Sequence, residues 1–394
     1  MGVDGRRLVK RLGVACVGLI VLCSGVSILN AATSAEAKEF ATWQSGMQKE
    51  FIDYTENEKN EYAAFKASVE QKWLEFVGST KKDWVEYSED MSSRSIVDFK
   101  KGEINLEVII PLEELGPDVD KKAMNKAKEA LLRKAAKARI KARLKAMLAD
   151  KSAEGKSPVE GQIQNEDGEN LSKNNVEMFV EKEIDKNLEI ETKPYVAKDG
   201  KKRLKAKVKV KMVPDHLKVR AEKYKKSVEK YAKRYDLDPA LVYAVIHTES
   251  YFNPKARSHV PAYGLMQLVP SSGGLDAYRY VKGKDQKPSP SYLYKPSNNI
   301  ELGAGYLALL GEREFKKVKN EATKKYLVIS SYNTGAGNVS RAFEGRKKLR
   351  ATVDRVNQMS PDEVYAKLVR DLPYEETRHY IQKVVDREKL YKSL

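Results

Sequence analysis

Asp238-Pro239-Ala240-Leu241-Val242-Tyr243-Ala244-Val245-Ile246-His247-Thr248-Glu249-Ser250 reads as a helix from its first two residues. Asp238 is an N-cap acceptor, and Pro239 suits the first helical position, where its missing N–H would be unpaired anyway. Asn253-Pro254 stops the helix. Val242, Val245, Ile246 and Glu249 are spaced by three, four and seven, which puts Glu249 on the apolar face. Burial favours the protonated carboxyl, and a carboxylic acid still protonated near neutral pH is what a general acid needs. Alone, the pattern equally describes a Glu that closes a helix and pairs with a neighbour.

Downstream of this helix the chain is helical in pattern, with loops rich in Gly, Pro, Ser and Asn. Upstream, the pattern changes. Ser95–Phe99 and Ile104–Ile110 flank a turn-like Lys100-Lys101-Gly102-Glu103 and predict a β-hairpin. From Leu204 to Met212 the even positions are Leu, Ala, Val, Val and Met, while Lys205, Lys207, Lys209 and Lys211 fill the odd ones. Period two places these sets on opposite faces of a strand. Leu188–Thr192, with Glu189 and Glu191 on its polar side and Asp199-Gly200 as turn, is the expected partner.

Between the two hairpins, Lys121 to Lys145 holds eleven Lys/Arg against Glu129 alone. Leu132, Ala136, Ile140, Leu144 and Leu148 recur every four residues. This is a helix with one apolar face and a basic remainder. It reads first as a helix packed on its own sheet with a solvated back; the alternative is contact with an anionic envelope polymer or a membrane surface through 121–148. Residues 151–175 read as a flexible loop. Residues 38–78, with Phe40, Trp43, Phe51, Tyr54, Tyr62 and Phe65 at helical spacings, read as one long amphipathic helix whose aromatic stripe is core. The expected class is therefore an α+β module over 38–215 followed by an all-α module over 216–394.

The 394 residues are 41% apolar and 33% charged, enough apolar material for packed cores and too much for wholesale disorder. The formal charge of +17 (73 basic, 56 acidic) points to a polyanion or an anionic surface. Residues 1–37 narrow the choice. Arg6, Arg7, Lys10 and Arg11 precede an apolar run, Leu12 to Cys23, too short to span a bilayer core that needs roughly 20 residues. Ala35-Glu36-Ala37 then offers a cleavage site, so the segment reads as an export signal, and the mature protein as periplasmic or envelope-associated, with an outer-membrane association open. Both cysteines, Cys16 and Cys23, fall inside it, so export leaves no thiol. The alternatives are a retained N-terminal anchor and lipidation at Cys23; against the second stands Leu22, where a small residue is expected. Nucleic acid, suggested by charge alone, fits neither export nor the absence of base-stacking motifs.

Further motifs follow Glu249-Ser250: Ala262-Tyr263-Gly264-Leu265-Met266-Gln267, then Ser331-Tyr332-Asn333-Thr334-Gly335, and finally Arg378-His379-Tyr380. Glu-Ser, Gly-Leu-Met-Gln, Ser-Tyr-Asn and a late Tyr, in this order on a helical module, resemble the lytic transglycosylases of goose-type lysozyme-like fold (the SLT catalytic domain). The stretch Pro270–Gly305 is most similar to the membrane-bound lytic murein transglycosylase C family, which also carries an α+β module ahead of the catalytic one.

The resemblance implies non-hydrolytic cleavage of peptidoglycan glycan strands between N-acetylmuramic acid and N-acetylglucosamine, giving 1,6-anhydromuramoyl products. Glu249 matches the family's single catalytic acid. Gln267, Tyr332 and Tyr380 match positions that orient it or hold the sugar. Tyr263, Gly264 and Met266 would line the cleft, and Ser250 and Asn333 would fix loop geometry. Ser331 stands where that motif usually has Ala. Ordinary glycosidases use two carboxylates about 5–9.5 Å apart; here the expected second candidate is only the remote Asp276. The four histidines (His216, His247, His259, His379) show no metal-ligand spacing, and the reading is cofactor-free. His247 is expected as a surface or loop contact. The rivals are a non-catalytic wall-binding or scaffolding protein and a hydrolytic muramidase.

Overall fold

A computed structural model describes residues 60–115, 126–258 and 262–394. The export segment, His259 and most of the 38–78 aromatic stripe lie outside these. Within the described part, helix ends at residue 70 instead of reaching Gly78. Val69 and Trp73 are buried beside Ile109, whereas Tyr62 and Phe65, the two described members of the stripe, are 44% and 40% exposed rather than core.

The predicted alternation builds an antiparallel sheet: β1 (Asp83–Tyr87), β2 (Ser93–Asp98), β3 (Glu103–Pro111), β4 (Glu189–Ile190), β5 (Tyr195–Val196) and β6 (Lys202–Lys211), ordered β1-β2-β3-β6-β4 with β5 also on β6. The first hairpin pairs as read, with Val97 opposite Ile104. The period-two set of β6 is buried, from Leu204 and Ala206 through Val208, Val210 and Met212. The second hairpin is shorter than expected. Of residues 188–192, Glu189 and Ile190 pair with β6 at Lys207 and Ala206 and the Glu191 N–H adds a bond to the Lys205 carbonyl, while β6 finds its long partner in β3. Pro194, which has no N–H to give a ladder, interrupts the edge between β4 and β5. The expected cross-strand charges do meet: Lys207 with Glu189 at 3.1 Å and Lys205 with Glu191 at 2.9 Å.

Helix α1 (Lys126–Ala149) lays Leu132, Ala136, Ile140, Leu144 and Leu148 into the sheet core. Much of its basic back is engaged within the chain: Lys137 with Glu181 at 2.6 Å, Lys141 with Glu177 at 2.6 Å, and Arg139 with Glu114 at 2.8 Å. The 151–175 stretch, expected as a flexible loop, is a run of turns that buries Val159, Ile163 and Leu171. Its polar composition reflects turn chemistry.

The change from sheet to helix falls between Lys211 and His216. Helices α2 (His216–Lys223), α3 (Lys225–Arg234), α4 (Pro239–Ser250), α5 (Gly273–Lys282), α6 (Pro296–Leu309), α7 (Glu321–Thr334), α8 (Ala336–Glu344), α9 (Leu349–Val356), α10 (Pro361–Asp371) and α11 (Glu375–Leu390) follow. Both modules belong to one compact unit, Phe65–Leu394. Arg220 of α2 is the joint between them. It is 1% exposed and donates to the Phe99 carbonyl at 2.7 Å, the Gln162 amide oxygen at 2.6 Å and the Tyr251 carbonyl at 3.1 Å. Burial pushes its pKa down to about 10.

Candidate active site

Helix α4 starts as its sequence predicts, with the Asp238 carboxylate accepting from the Ala240 N–H at 2.8 Å. It is buried nearly all round, so Glu249 sits on the innermost helix of the module and not on one apolar stripe. His247 is accordingly no surface contact: it is 6% exposed and bonded to the Tyr391 hydroxyl at 2.9 Å. After Ser250 the chain leaves sharply through left-handed Tyr251 (φ 53°) and Phe252 (φ 62°), a conformation that costs a non-glycine residue about 1 kcal/mol or more.

Glu249 is 6% exposed, and burial is the main cause that raises its carboxyl above the usual range. The Lys81 ammonium, 3.7 Å from Oε2, works against that shift, while Glu376 at the start of α11 adds to it. Tyr380 also favours the carboxylate. Its buried hydroxyl acts on Glu249 as a hydrogen-bond donor, through a contact too loose to count as a formed bond. Tyr332 and Tyr380 are both pushed well up, first by burial and then by Glu249, so both remain neutral phenols.

The Gly-Leu-Met-Gln loop is tied to this helix by Ser250, whose hydroxyl donates to the Leu265 carbonyl at 2.7 Å. Gly264 (φ +75°) needs to be glycine: a Cβ there would lie 2.4 Å from the Leu293 carbonyl oxygen and 2.5 Å from Asn299 Nδ2. Asn299, fully buried, is the hub. It accepts from the Met266 N–H and donates to the Tyr263 and Leu293 carbonyls, all at 2.8 Å. Gln267 (φ 48°) donates to the Ala256 and Gly264 carbonyls at 3.1 and 2.9 Å. Its Oε1 is buried without a partner among the described residues. Tyr332 donates to the Met266 carbonyl at 2.8 Å, and Asn333 accepts from Thr377 at 2.7 Å, joining α7 to α11.

Glu249, Tyr332 and Tyr380 thus come together, with Gln267 one link away through the loop. Tyr263 and Met266 do not line a cleft: they are 1% and 0% exposed, because the loop folds its large side chains inward around Asn299. Asp276 lies on α5 beside Arg279 at 3.6 Å, with burial raising its carboxyl, and is not among the groups that govern Glu249. Lys81 and Glu376 escape a sequence reading. Nothing local distinguishes them from the other charges, and each reaches the site only through tertiary folding.

Comparison with known proteins covers both modules. Residues 226–354 match the Transglycosylase SLT domain family, and residues 48–223 match the family described as Membrane-bound lytic murein transglycosylase C, N-terminal domain. A protein named membrane-bound lytic murein transglycosylase C from Actinobacillus pleuropneumoniae serotype 5b (strain L20) is 43% identical over 177 residues, 45% of this chain and 48% of that protein. Its namesake from Klebsiella pneumoniae (strain 342) is 42% identical over 183 residues, 46% and 50% of the two chains. The match therefore spans about half the length of these curated relatives. An inactive variant of the lytic transglycosylase Slt from Pseudomonas aeruginosa is 27% identical over 43% of this chain and 24% of its own, with a TM-score of 0.33.

Proposed function

We propose that this chain, which resembles membrane-bound lytic murein transglycosylase C in both its modules, is a peptidoglycan lytic transglycosylase that uses Glu249 as acid and then as base. The observation that carries the reading is a single buried carboxyl whose ionisation is held in balance: burial favours the acid, and Lys81 favours the carboxylate. Such a group can donate its proton to the glycosidic oxygen between N-acetylmuramic acid and N-acetylglucosamine, releasing the N-acetylglucosamine hydroxyl. As carboxylate it then takes the proton from the C6 hydroxyl of the muramoyl sugar while that oxygen bonds to C1. A 1,6-anhydro ring forms, Glu249 is protonated again, and no water enters the balance. The substrate's own N-acetyl group supports the cationic carbon between the steps.

Tyr380, neutral across the physiological range, serves as a donor beside the carboxyl, the neutral Tyr332 holds the loop through the Met266 carbonyl, and the unpartnered Gln267 Oε1 is an acceptor for a sugar amide. Gly264, Ser250 and Asn333 hold the loop and helices that place them. We assign 38–215 to the N-terminal module and 216–394 to catalysis, in an exported, envelope-associated protein.

The hydrolytic muramidase has one observation in its favour. Glu376 acts on Glu249, so a second carboxylate is nearer than the sequence indicates. Mass spectrometry of muropeptides after digestion of purified peptidoglycan separates the readings. Products lighter by one water, lost with Glu249→Gln and retained with Glu376→Gln, are expected. Hydrated reducing ends that require Glu376 would mean hydrolysis. Binding without products from the wild type would leave the scaffold.

A further inference from the structure

We propose that Lys81, contributed by the sheet module, is the counter-cation of Glu249 and a positioning residue for the reaction proposed above. Its ammonium lies 3.7 Å from Glu249 Oε2, across the boundary between the modules. Glu249 occupies the last turn of α4, where the helix macrodipole as well as burial disfavours a negative charge. A cation at this distance opposes both effects in a medium that screens poorly.

The lysine is delivered by a fixed segment. Thr80 Oγ1 accepts from the Lys82 and Asp83 N–H groups at 3.1 and 3.0 Å and donates to Asp83 Oδ2 at 2.7 Å. The Lys82 carbonyl accepts from the Phe99 N–H at 3.0 Å. On the other side of the boundary, the Lys255 ammonium sits 4.9 Å from the centroid of the buried Trp84 ring while pairing with Asp150 at 2.5 Å. Lys82 lies 5.9 Å from the ring centroid of Tyr251, the residue that ends α4. Contacts at Lys82 and Trp84, just after Lys81, therefore hold the start of β1 against the end of α4 and the loop that follows it. The sheet module completes the electrostatics of the acid, which gives it a role in the chemistry distinct from wall binding.

The four groups acting on Glu249 come from three segments: Lys81 ahead of β1, Glu376 and Tyr380 on α11, and Tyr332 on α7. Lys81 is the cation among those that govern it. Removing that charge leaves burial and Glu376 unopposed except by Tyr380, so the carboxyl holds its proton to higher pH and parts with it less readily.

The test compares full-length wild type, Lys81→Met and Lys81→Arg in two measurements. Infrared difference titration reads the protonated carboxyl band that Glu249→Gln removes, and does so whether or not the protein turns over. In Lys81→Met its midpoint moves to higher pH, and Lys81→Arg returns it towards wild type. The pH profile of anhydro-product formation follows. Its alkaline limb moves up in Lys81→Met and the maximal rate falls about tenfold, the low end for a close charge partner because the Lys81 side chain is 35% exposed. An unmoved midpoint in a Lys81→Met protein that melts like wild type overturns the proposal, as does a Lys81→Arg midpoint displaced as far as that of Lys81→Met. A wild type that makes no anhydro products overturns the proposed reaction instead, and the infrared titration still decides the counter-cation.

Discussion

Helices α1 and α4 handle charge in opposite ways. The described part of α1 carries nine basic residues, from Lys126 to Lys145, and places all but the buried Arg143 towards its outside, several paired with carboxylates of the following segment. α4 carries one carboxylate, buried at its end, with only a partial counter-charge. Exposed pairs such as those on α1 contribute at most about 1 kcal/mol each, because water already solvates both partners. A buried carboxyl cannot lean on water, and each nearby group changes its proton affinity. The abundance of charge in α1 drew attention in the sequence, but the isolation of charge in α4 is what chemistry can use.

The largest effect expected from breaking this contrast is at Glu249. Glu249→Gln keeps the shape and removes the proton, and product formation should fall about 10³-fold or more. Its stability changes in a defined direction. Burial raises the Glu249 pKa, so the wild type has its full stability below the ordinary carboxylate range and loses part of it as pH rises through the folded-state value. Glu249→Gln should therefore melt higher than wild type in alkaline buffer and alike in acid; equal melting at both would mean the carboxyl is not desolvated.

Next comes the joint that holds the sheet module, and with it Lys81, against α4. Arg220→Met removes donors from the Phe99, Tyr251 and Gln162 oxygens, and denaturant unfolding should show a loss of about 3 kcal/mol. A loss under about 1 kcal/mol would show the two modules held chiefly by apolar contacts. A smaller loss, about 2 kcal/mol, is expected for Gly264→Ala, where a methyl group must displace the Leu293 carbonyl and Asn299 from a left-handed turn. Because Asn299 also holds the Met266 N–H, and the Met266 carbonyl holds Tyr332, the same change should lower product formation at unchanged fold, as judged by circular dichroism.

Much of this arrangement was legible beforehand, and the reasons are local. Capping by Asp238 and Pro239, the stop at Asn253-Pro254 and the spacing to Glu249 are short-range signals. So is the period-two alternation of β6. What the sequence did not carry is non-local. It could not choose β3 over residues 188–192 as the long partner of β6, since an alternating strand fits either until the pairing lengths compete. His247, read as a surface or loop contact, is inside because α4 is surrounded. Tyr263 and Met266 turned inward because Asn299, a polar residue with no visible partner in sequence, is the buried centre of their loop. Lys81 is one among 73 basic residues, and only its arrival 3.7 Å from Glu249 distinguishes it.

The smallest effect belongs to the other side of the comparison. Lys126, Lys134 and Lys145 are exposed on α1, and an anionic polymer or membrane surface would meet them first. Replacing all three by Gln should change unfolding free energy by no more than about 0.5 kcal/mol per substitution, the usual range for surface positions. If the basic face is only a solvated back, sedimentation with purified sacculi and with anionic vesicles stays as in wild type at low salt. Should the face dock, binding at low salt falls, and its dependence on ionic strength flattens, because fewer counterions are exchanged on contact. The pairs at Lys137 and Lys141 argue for the first outcome: the following segment supplies Glu177 and Glu181 to this face, which leaves it less positive than its composition implies.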